Sequence, residues 1–242
     1  MRNEDLAAVR ALDLFAPMSA ESFDVLTQAA FLQWFPPQVV LIEEGGSADF
    51  LHVVLDGMVE MVAHGNDRET TIAVLEPVST FILAAVLRDA AYLMSARTLE
   101  RSRILMIPAQ SVRGAMEDDP DFARAIVREL AGAFRGAVKT LKSQKLRTGV
   151  ERLANWLLVE HARQAAAGQT GAGAAPSVGV RLGYDKRTLA ALLGMTPENL
   201  SRAFGTLRGY GVEVTGRDVA LTRLGELRRL AKPDPLIDDG TM

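Results

Sequence analysis

The sequence predicts an α+β chain: an N-terminal antiparallel β-roll, a long dimerisation helix and a C-terminal winged helix-turn-helix. Three observations carry this prediction. Short apolar runs separated by turn residues fill positions 31–108. A proline-free stretch over 122–146 then places apolar residues three and four apart. Beyond it, two short helical stripes meet at Gly194 and a hairpin pattern follows them. The expected divisions are residues 1–117 for the roll, 118–147 for the long helix and 148–242 for the winged domain.

Composition narrows what such a chain does. Its 242 residues are 48% hydrophobic, enough for a sizeable core. The absence of cysteine excludes disulfides, thiolate-held iron–sulfur clusters and cysteine nucleophiles. An enzyme on a cupin-like roll needs clustered histidine and carboxylate ligands, and the histidines at 52, 64 and 161 are scattered, so no enzyme is expected. Residues 1–110 carry 7 basic and 15 acidic side chains, and the remainder carries 20 and 15. That asymmetry fits an acidic module joined to a basic one. The N-terminus lacks a signal-peptide core, and the longest apolar run, 81–87, is far short of the ~20 residues that span a bilayer. The expectation is a cytoplasmic protein with no membrane partner.

Taken in order, residues 4–15 read as an amphipathic helix with Leu6, Val9, Leu12 and Phe15 on one side. Ser19 is placed to cap a second helix carrying Phe23, Leu26 and Ala30. Strand-length runs at 39–42, 50–55, 58–62 and 70–75 are separated by Pro36-Pro37, Gly45-Gly46, Asp56-Gly57 and a polar turn at 64–67, and 97–108 supplies a later strand. Asp118, Asp119, Pro120 and Asp121 suit the start of the long helix. Along it, Val127, Leu130, Phe134, Ala137 and Leu141 form a coiled-coil-like seam on a helix of about 37 Å, which predicts a homodimer. Residues 149–163 read as a further helix with Val150, Leu153, Trp156 and Leu157 in register, and 164–177 as a low-complexity surface loop.

The informative stretch begins at Lys186. Leu189, Leu192 and Leu193 form one inward stripe, Gly194 ends that helix, and Thr196 and Pro197 suit the cap and first position of the next. Leu200, Phe204 and Leu207 form the second stripe, and Ala190 permits close crossing. The second helix then shows Glu198, Ser201, Arg202 and Arg208 outward. Arginine reads guanine with two parallel bonds and glutamate accepts from cytosine, so this pattern points to double-stranded DNA. Val212 to Thr222 reads as a wing turning at 216–218, with Arg217 at its tip suited to phosphate. The predicted DNA contacts are Lys186, Arg187, Thr196, Glu198, Ser201, Arg202, Arg208 and Arg217. An architectural DNA binder with little sequence preference is the competing class.

The order of roll, long helix and winged helix-turn-helix resembles the Crp/Fnr family of bacterial transcription regulators across nearly the whole chain. Glu198, Ser201 and Arg202 resemble the E-x-x-S-R signature of its Fnr-like branch; the cyclic-AMP-receptor branch usually has glycine at the position of Ser201 and arginine at that of Pro197. Residues 146–157 are similar to the denitrification-type members that respond to nitric oxide. The resemblance implies a cyclic-nucleotide-binding-domain-like roll, a dimer on a palindrome with TTGAT-like half-sites, and RNA polymerase as a partner.

Two departures bear on the effector. The iron–sulfur members use cysteines, which this chain lacks. The cyclic-AMP receptors hold ribose and phosphate with a Gly-Glu pair and an Arg-Ser or Arg-Thr pair, and here the corresponding segments are 81–85 and 93–96, with Met94 in place of the arginine. Arg97 stands three positions late. Cyclic AMP is therefore not the expected effector. The apolar stretch 78–94 reads either as a pocket for haem or another hydrophobic effector, or as roll core; axial-ligand candidates are His52, His64 and His161.

Overall fold

The computed structural model describes residues 3–66, 68–168 and 179–238. The chain divides into two compact units, Met1–Ala133 and Phe134–Met242. The first contains α1 (Asn3–Arg10), α2 (Ala20–Gln28), β1 (Phe31–Phe35), β2 (Val40–Ile42), β3 (Phe50–Asp56), β4 (Val59–Gly65), β5 (Arg68–Leu75), β6 (Ser79–Phe81), α3 (Leu83–Arg88), β7 (Ser95–Thr98), β8 (Ser102–Pro108) and α4 (Ala109–Asp118). The long helix α5 (Pro120–Leu146) begins in this unit and ends in the second. There follow α6 (Gly149–Ala166), β9 (Gly179–Arg181), α7 (Lys186–Leu192), α8 (Pro197–Arg208), β10 (Val212–Thr215), β11 (Asp218–Leu221), α9 (Leu224–Ala231) and α10 (Pro235–Asp238).

Two four-stranded antiparallel sheets, ordered β1-β8-β3-β6 and β2-β7-β4-β5, make the roll. Their shared core holds Leu51, Val53, Val59, Ile104, Leu105 and Ile107, with Phe15 from the turns after α1, Leu26 from α2 and Phe122 and Ile126 from α5. The roll is the expected architecture, but several elements differ in extent. The single strand expected over 97–108 is two strands in different sheets. Between them the buried Ser102 hydroxyl donates to the Met58 and Glu100 carbonyls and accepts from the Met58 N–H, which turns the chain. Gly57 permits that approach: its φ is +82°, and a Cβ there would lie 2.4 Å from the Ser102 hydroxyl. The first helix stops at Arg10, whose guanidinium donates to the Phe15 and Met18 carbonyls and holds the following residues as turns. α6 continues three residues past its expected end and takes in Gln164, the first residue assigned to the low-complexity loop; 169–177 of that loop lie outside the described residues.

The apolar run 81–87 supplies the end of β6 and most of α3, and packs inward. Phe81, Leu83 and Val86 are buried, with Ile82, Ala85, Leu87 and Met94 against the same core. Of the five seam residues, Val127, Phe134, Ala137 and Leu141 are exposed on α5, whereas Leu130 packs partly against the roll core.

Asp119 organises the start of α5. One carboxylate oxygen accepts from the Asp121 and Phe122 N–H groups at 3.0 and 3.1 Å, and the other accepts from the Ser19 N–H at 2.8 Å. The backbone bonds from Ser19 and Phe122 hold the Asp119 carboxyl down to about 2. A carboxyl depressed on folding stabilises the native state above its unfolded pKa, and that contribution disappears as pH falls through the folded value. Asp119→Ala should cost about 1–2 kcal/mol at neutral pH. In urea denaturation, the gap between the variant and the unmodified protein should shrink as pH falls from about 4 toward 2; an equal gap at both ends of that range would contradict this role.

Candidate nucleic-acid interface

α6 starts on a capping box. The Thr148 hydroxyl accepts from the Glu151 N–H, and the Glu151 carboxylate accepts from the Thr148 N–H. Leu153 and Leu157 are fully buried and seat α6 on a core shared with Leu189, Leu200, Leu207, Val212 and Leu227. α7 is capped by Asp185, whose carboxylate accepts from the Thr188 N–H at 2.8 Å. The turn runs through Gly194 at φ +61°, in the left-handed region that favours glycine. Thr196 caps α8 and Pro197 occupies its first turn.

This start fixes the rotation of α8. Leu200, Ala203, Phe204 and Leu207 face the core, and Glu198, Asn199, Ser201, Arg202, Gly205, Thr206 and Arg208 face outward. The outward face has two flanks. On one, Ser201 and Arg208 meet Lys186 of α7 and Val214 of β10 around a hollow of about 340 Å³. On the other, Arg202 borders a hollow of about 500 Å³ with Thr196, Asn199 and Gly149. The Lys186 ammonium sits 6.0 Å from the Phe204 ring centroid. Glu198 and Arg202, expected to steady each other at four-residue spacing, form no direct ion pair among the described residues. Arg202 Nη1 donates instead to the Asn199 side-chain oxygen at 3.4 Å. The Glu198 carboxyl is held below its usual range by its own N–H, by the Thr196 hydroxyl and, least, by the charge on Arg202. Asn199 was not among the expected site residues, although its place three before Arg202 on a helix is the signal that finds it.

The wing forms as expected and gains a strand. β10 and β11 pair from Val212↔Leu221 to Thr215↔Asp218, with Gly216 at φ +62° and Arg217 exposed in the turn. β9 pairs with β11, placing Arg181 beside Asp218, and the Leu182 N–H donates to the Arg217 carbonyl at 2.8 Å. Buried Gln164 holds β9 from behind: its amide donates to the Arg181 carbonyl at 2.7 Å, and its oxygen accepts the Arg181 N–H at 2.9 Å. Arg187 is exposed in the first turn of α7.

The effector candidates separate. His52 lies in the roll core, stacked on Phe81 at 5.1 Å, with Nδ1 3.1 Å from the Phe50 carbonyl. Burial lowers its pKa to about 4, against the bond to Phe50. His64 lies at the surface near Glu44 and Glu69, at 3.3 and 3.6 Å. His161 Nδ1 is 3.2 Å from the Gly179 carbonyl. Each imidazole thus has its own local partner. Met94 packs against the roll core, while Arg97 pairs with Glu60 and Glu69 at 2.8 and 2.7 Å. A cyclic phosphate needs a cation and amide donors, so these residues do not fit it. Among the described residues no histidine, cysteine and carboxylate cluster suits a metal ion, and no helix is long and apolar enough to cross a membrane.

Known proteins match both units. Residues 32–119 match the family described as Cyclic nucleotide-binding domain, and residues 151–230 the family described as Crp-like helix-turn-helix domain. A potassium channel of Oryza sativa subsp. japonica is 33% identical over 110 residues, which are 45% of this chain and 13% of the channel, so the chain spans only a small part of that relative. A regulatory protein from Silicibacter pomeroyi, named for cAMP binding, is 27% identical with a TM-score of 0.61, over 96% of this chain and 100% of that one. FixK2 from Bradyrhizobium japonicum shares the fold at 22% identity and a TM-score of 0.70, over 85% of this chain and 98% of its own. With a cyclic-nucleotide-type roll, a long helix and a Crp-like winged helix-turn-helix in that order, the chain belongs to the Crp/Fnr family of DNA-binding transcription regulators.

Proposed function

We propose that this protein is a homodimeric regulator that reads a palindrome of TTGAT-like half-sites and answers to a signal other than cyclic AMP or an iron–sulfur cluster. The observation that carries this reading is the outward face of α8, where Glu198, Ser201 and Arg202 stand directly after the Gly194 turn with a wing beside them. Arg202 reads guanine in the major groove and Glu198 accepts from the opposite cytosine. Arg217 meets phosphate, and Lys186, Arg187, Thr196 and Arg208 add contacts around the reading helix. Once on its operator, the dimer contacts RNA polymerase.

Two features support the dimer and the choice of signal. Phe134 and Leu141 are 71% and 53% exposed on α5, an apolar stripe that two-fold pairing covers. In the segments that correspond to the phosphate-binding pairs, Ile82, Leu83 and Met94 pack on the roll core and the Ser95 hydroxyl accepts from the Glu44 N–H, while Arg97 just beyond is ion-paired.

Selection of operators from random DNA tests the reading. The recovered sites should be palindromes with half-sites about 34 Å apart, whereas recovery of no consensus would favour an architectural DNA binder. Arg202→Ala should cost about 1–3 kcal/mol per half-site and relax preference at the guanine. Arg217→Ala should weaken binding nearly equally on all sequences and flatten its salt dependence. Retention of full discrimination by Arg202→Ala, with its loss in Arg217→Ala, would refute α8 as the reader.

Replacing Phe134 and Leu141 together with glutamate should give monomers in sedimentation and abolish operator binding; a double variant that stays dimeric sinks the seam. Cyclic AMP at millimolar concentration should leave melting temperature and DNA affinity unchanged, because a true ligand raises both the stability and the apparent melting point.

A further inference from the structure

The end of α5 and the turn ahead of α8 are joined by one side chain. An α-helix leaves its last carbonyls without internal partners, and its C-terminal end carries partial negative charge. Arg152, in the first turn of α6, answers this for two helices at once. Its Nη1 donates to the Arg147 carbonyl at 2.7 Å and reaches the Gln144 carbonyl at 3.5 Å, both at the end of α5. Its Nε donates to the Leu193 carbonyl at 2.7 Å and its Nη2 to the Gly194 carbonyl at 3.3 Å, just past the end of α7. A planar guanidinium presents these donors in a fixed fork, which a lysine ammonium cannot do.

The packing around this fork is close. A Cβ on Gly149 would lie 3.3 Å from the Met195 side chain, and one on Gly194 would lie 3.4 Å from Gln144. The α5 side is pinned again from the C-terminal segment. The Arg147 guanidinium is 7% exposed and donates to both carboxylate oxygens of Asp238, at 2.7 and 2.5 Å. The second of those oxygens also accepts the Asp234 N–H at 2.7 Å, which closes α10. The bonds therefore run from α10 through Arg147 and Arg152 to the carbonyls of the helix-turn-helix turn.

We propose that Arg152 is a positioning residue for DNA reading. It makes the end of the pairing helix and the Gly194 turn one rigid piece, and Asp238 holds the acceptor side in place through Arg147. This rests on the reading that α8 enters the groove. Arg152 contacts no base; it sets the angle at which Glu198, Ser201 and Arg202 arrive. In a dimer the same piece exists twice, so a loosened fork puts the two reading helices out of step with successive grooves.

The experiment compares Arg152→Lys, Asp238→Asn and Arg202→Ala in the full chain, using the operator selected by the unmodified protein and a scrambled duplex. Arg152→Lys keeps the charge and loses the fork. Its ratio of operator to scrambled affinity should fall about 10-fold, and that of Asp238→Asn about 3-fold, while scrambled-DNA binding and dimerisation at a temperature well below unfolding stay near their original values, even though both variants lose hydrogen bonds and melt lower. A merely structural role would lower operator and scrambled binding together. That outcome, or an unchanged affinity ratio in Arg152→Lys, overturns the proposal. Arg202→Ala reports separately on the reading helix: if it keeps full discrimination, α8 is not the reader and the proposal falls with that reading, whereas lost discrimination in Arg202→Ala beside an unchanged ratio in Arg152→Lys overturns the positioning role alone.

Discussion

Every α-helix begins with N–H groups that have no partner inside it, and among the described residues six helices take the missing acceptor from a side chain: Ser19, Asp119, Thr148, Asp185, Thr196 and Asp234. Where such an oxygen stands fixes the residue at which the helix starts. A start displaced by one residue turns the helix by about 100°. For α8 that turn would bring Ser201 and Arg202 toward the core and carry Leu200 and Phe204 toward solvent. Asp119 does more than begin α5, because its second oxygen takes the Ser19 N–H and fixes the start of α2 as well. Specificity of the fold lies as much in these oxygens as in the apolar stripes they orient.

The features that were legible in the sequence are those encoded within a few residues. Ser19, the Gly194-Met195-Thr196-Pro197 turn and the Gly216 hairpin each carry their own local signal, and all three form as expected. The strands β6 and β9 have three residues each, too few for a period to show. β1 alternates poorly because Phe31 and Trp34 are both exposed, the latter under the Arg101 guanidinium at 4.2 Å. Arg152 left no trace for a different reason. Its acceptors are backbone carbonyls, which every residue has, so no partner residue type marks the site. Asn199 was hidden by a plausible alternative, since Glu198 has the right charge to hold Arg202 and Asn199 has only an amide.

The family that matches the roll is named for a cyclic nucleotide, and several residues of this roll have partners within the protein itself. Met94, Ile82 and Leu83 extend the apolar core into the segments that resemble the phosphate and ribose contacts. Arg97, the nearest cation, is spanned by two carboxylates, one of which accepts the Thr71 hydroxyl at 2.5 Å from within the sheet. Freeing that guanidinium for a phosphate would leave Glu60, 2% exposed, with an unpaired buried charge, a costly exchange. The architecture of a cyclic-nucleotide-binding domain is thus built here around an apolar core and a partly buried ion-pair network.

Gln164 bears on how this architecture tolerates change. By gripping both backbone groups of Arg181, it ties the register of β9 directly to α6. Lengthening a closed loop adds entropy only logarithmically, about 0.6 kcal/mol per doubling. A change in the number of residues between α6 and β9 over evolutionary time is therefore cheap, and the wing keeps its alignment through the amide that measures the distance.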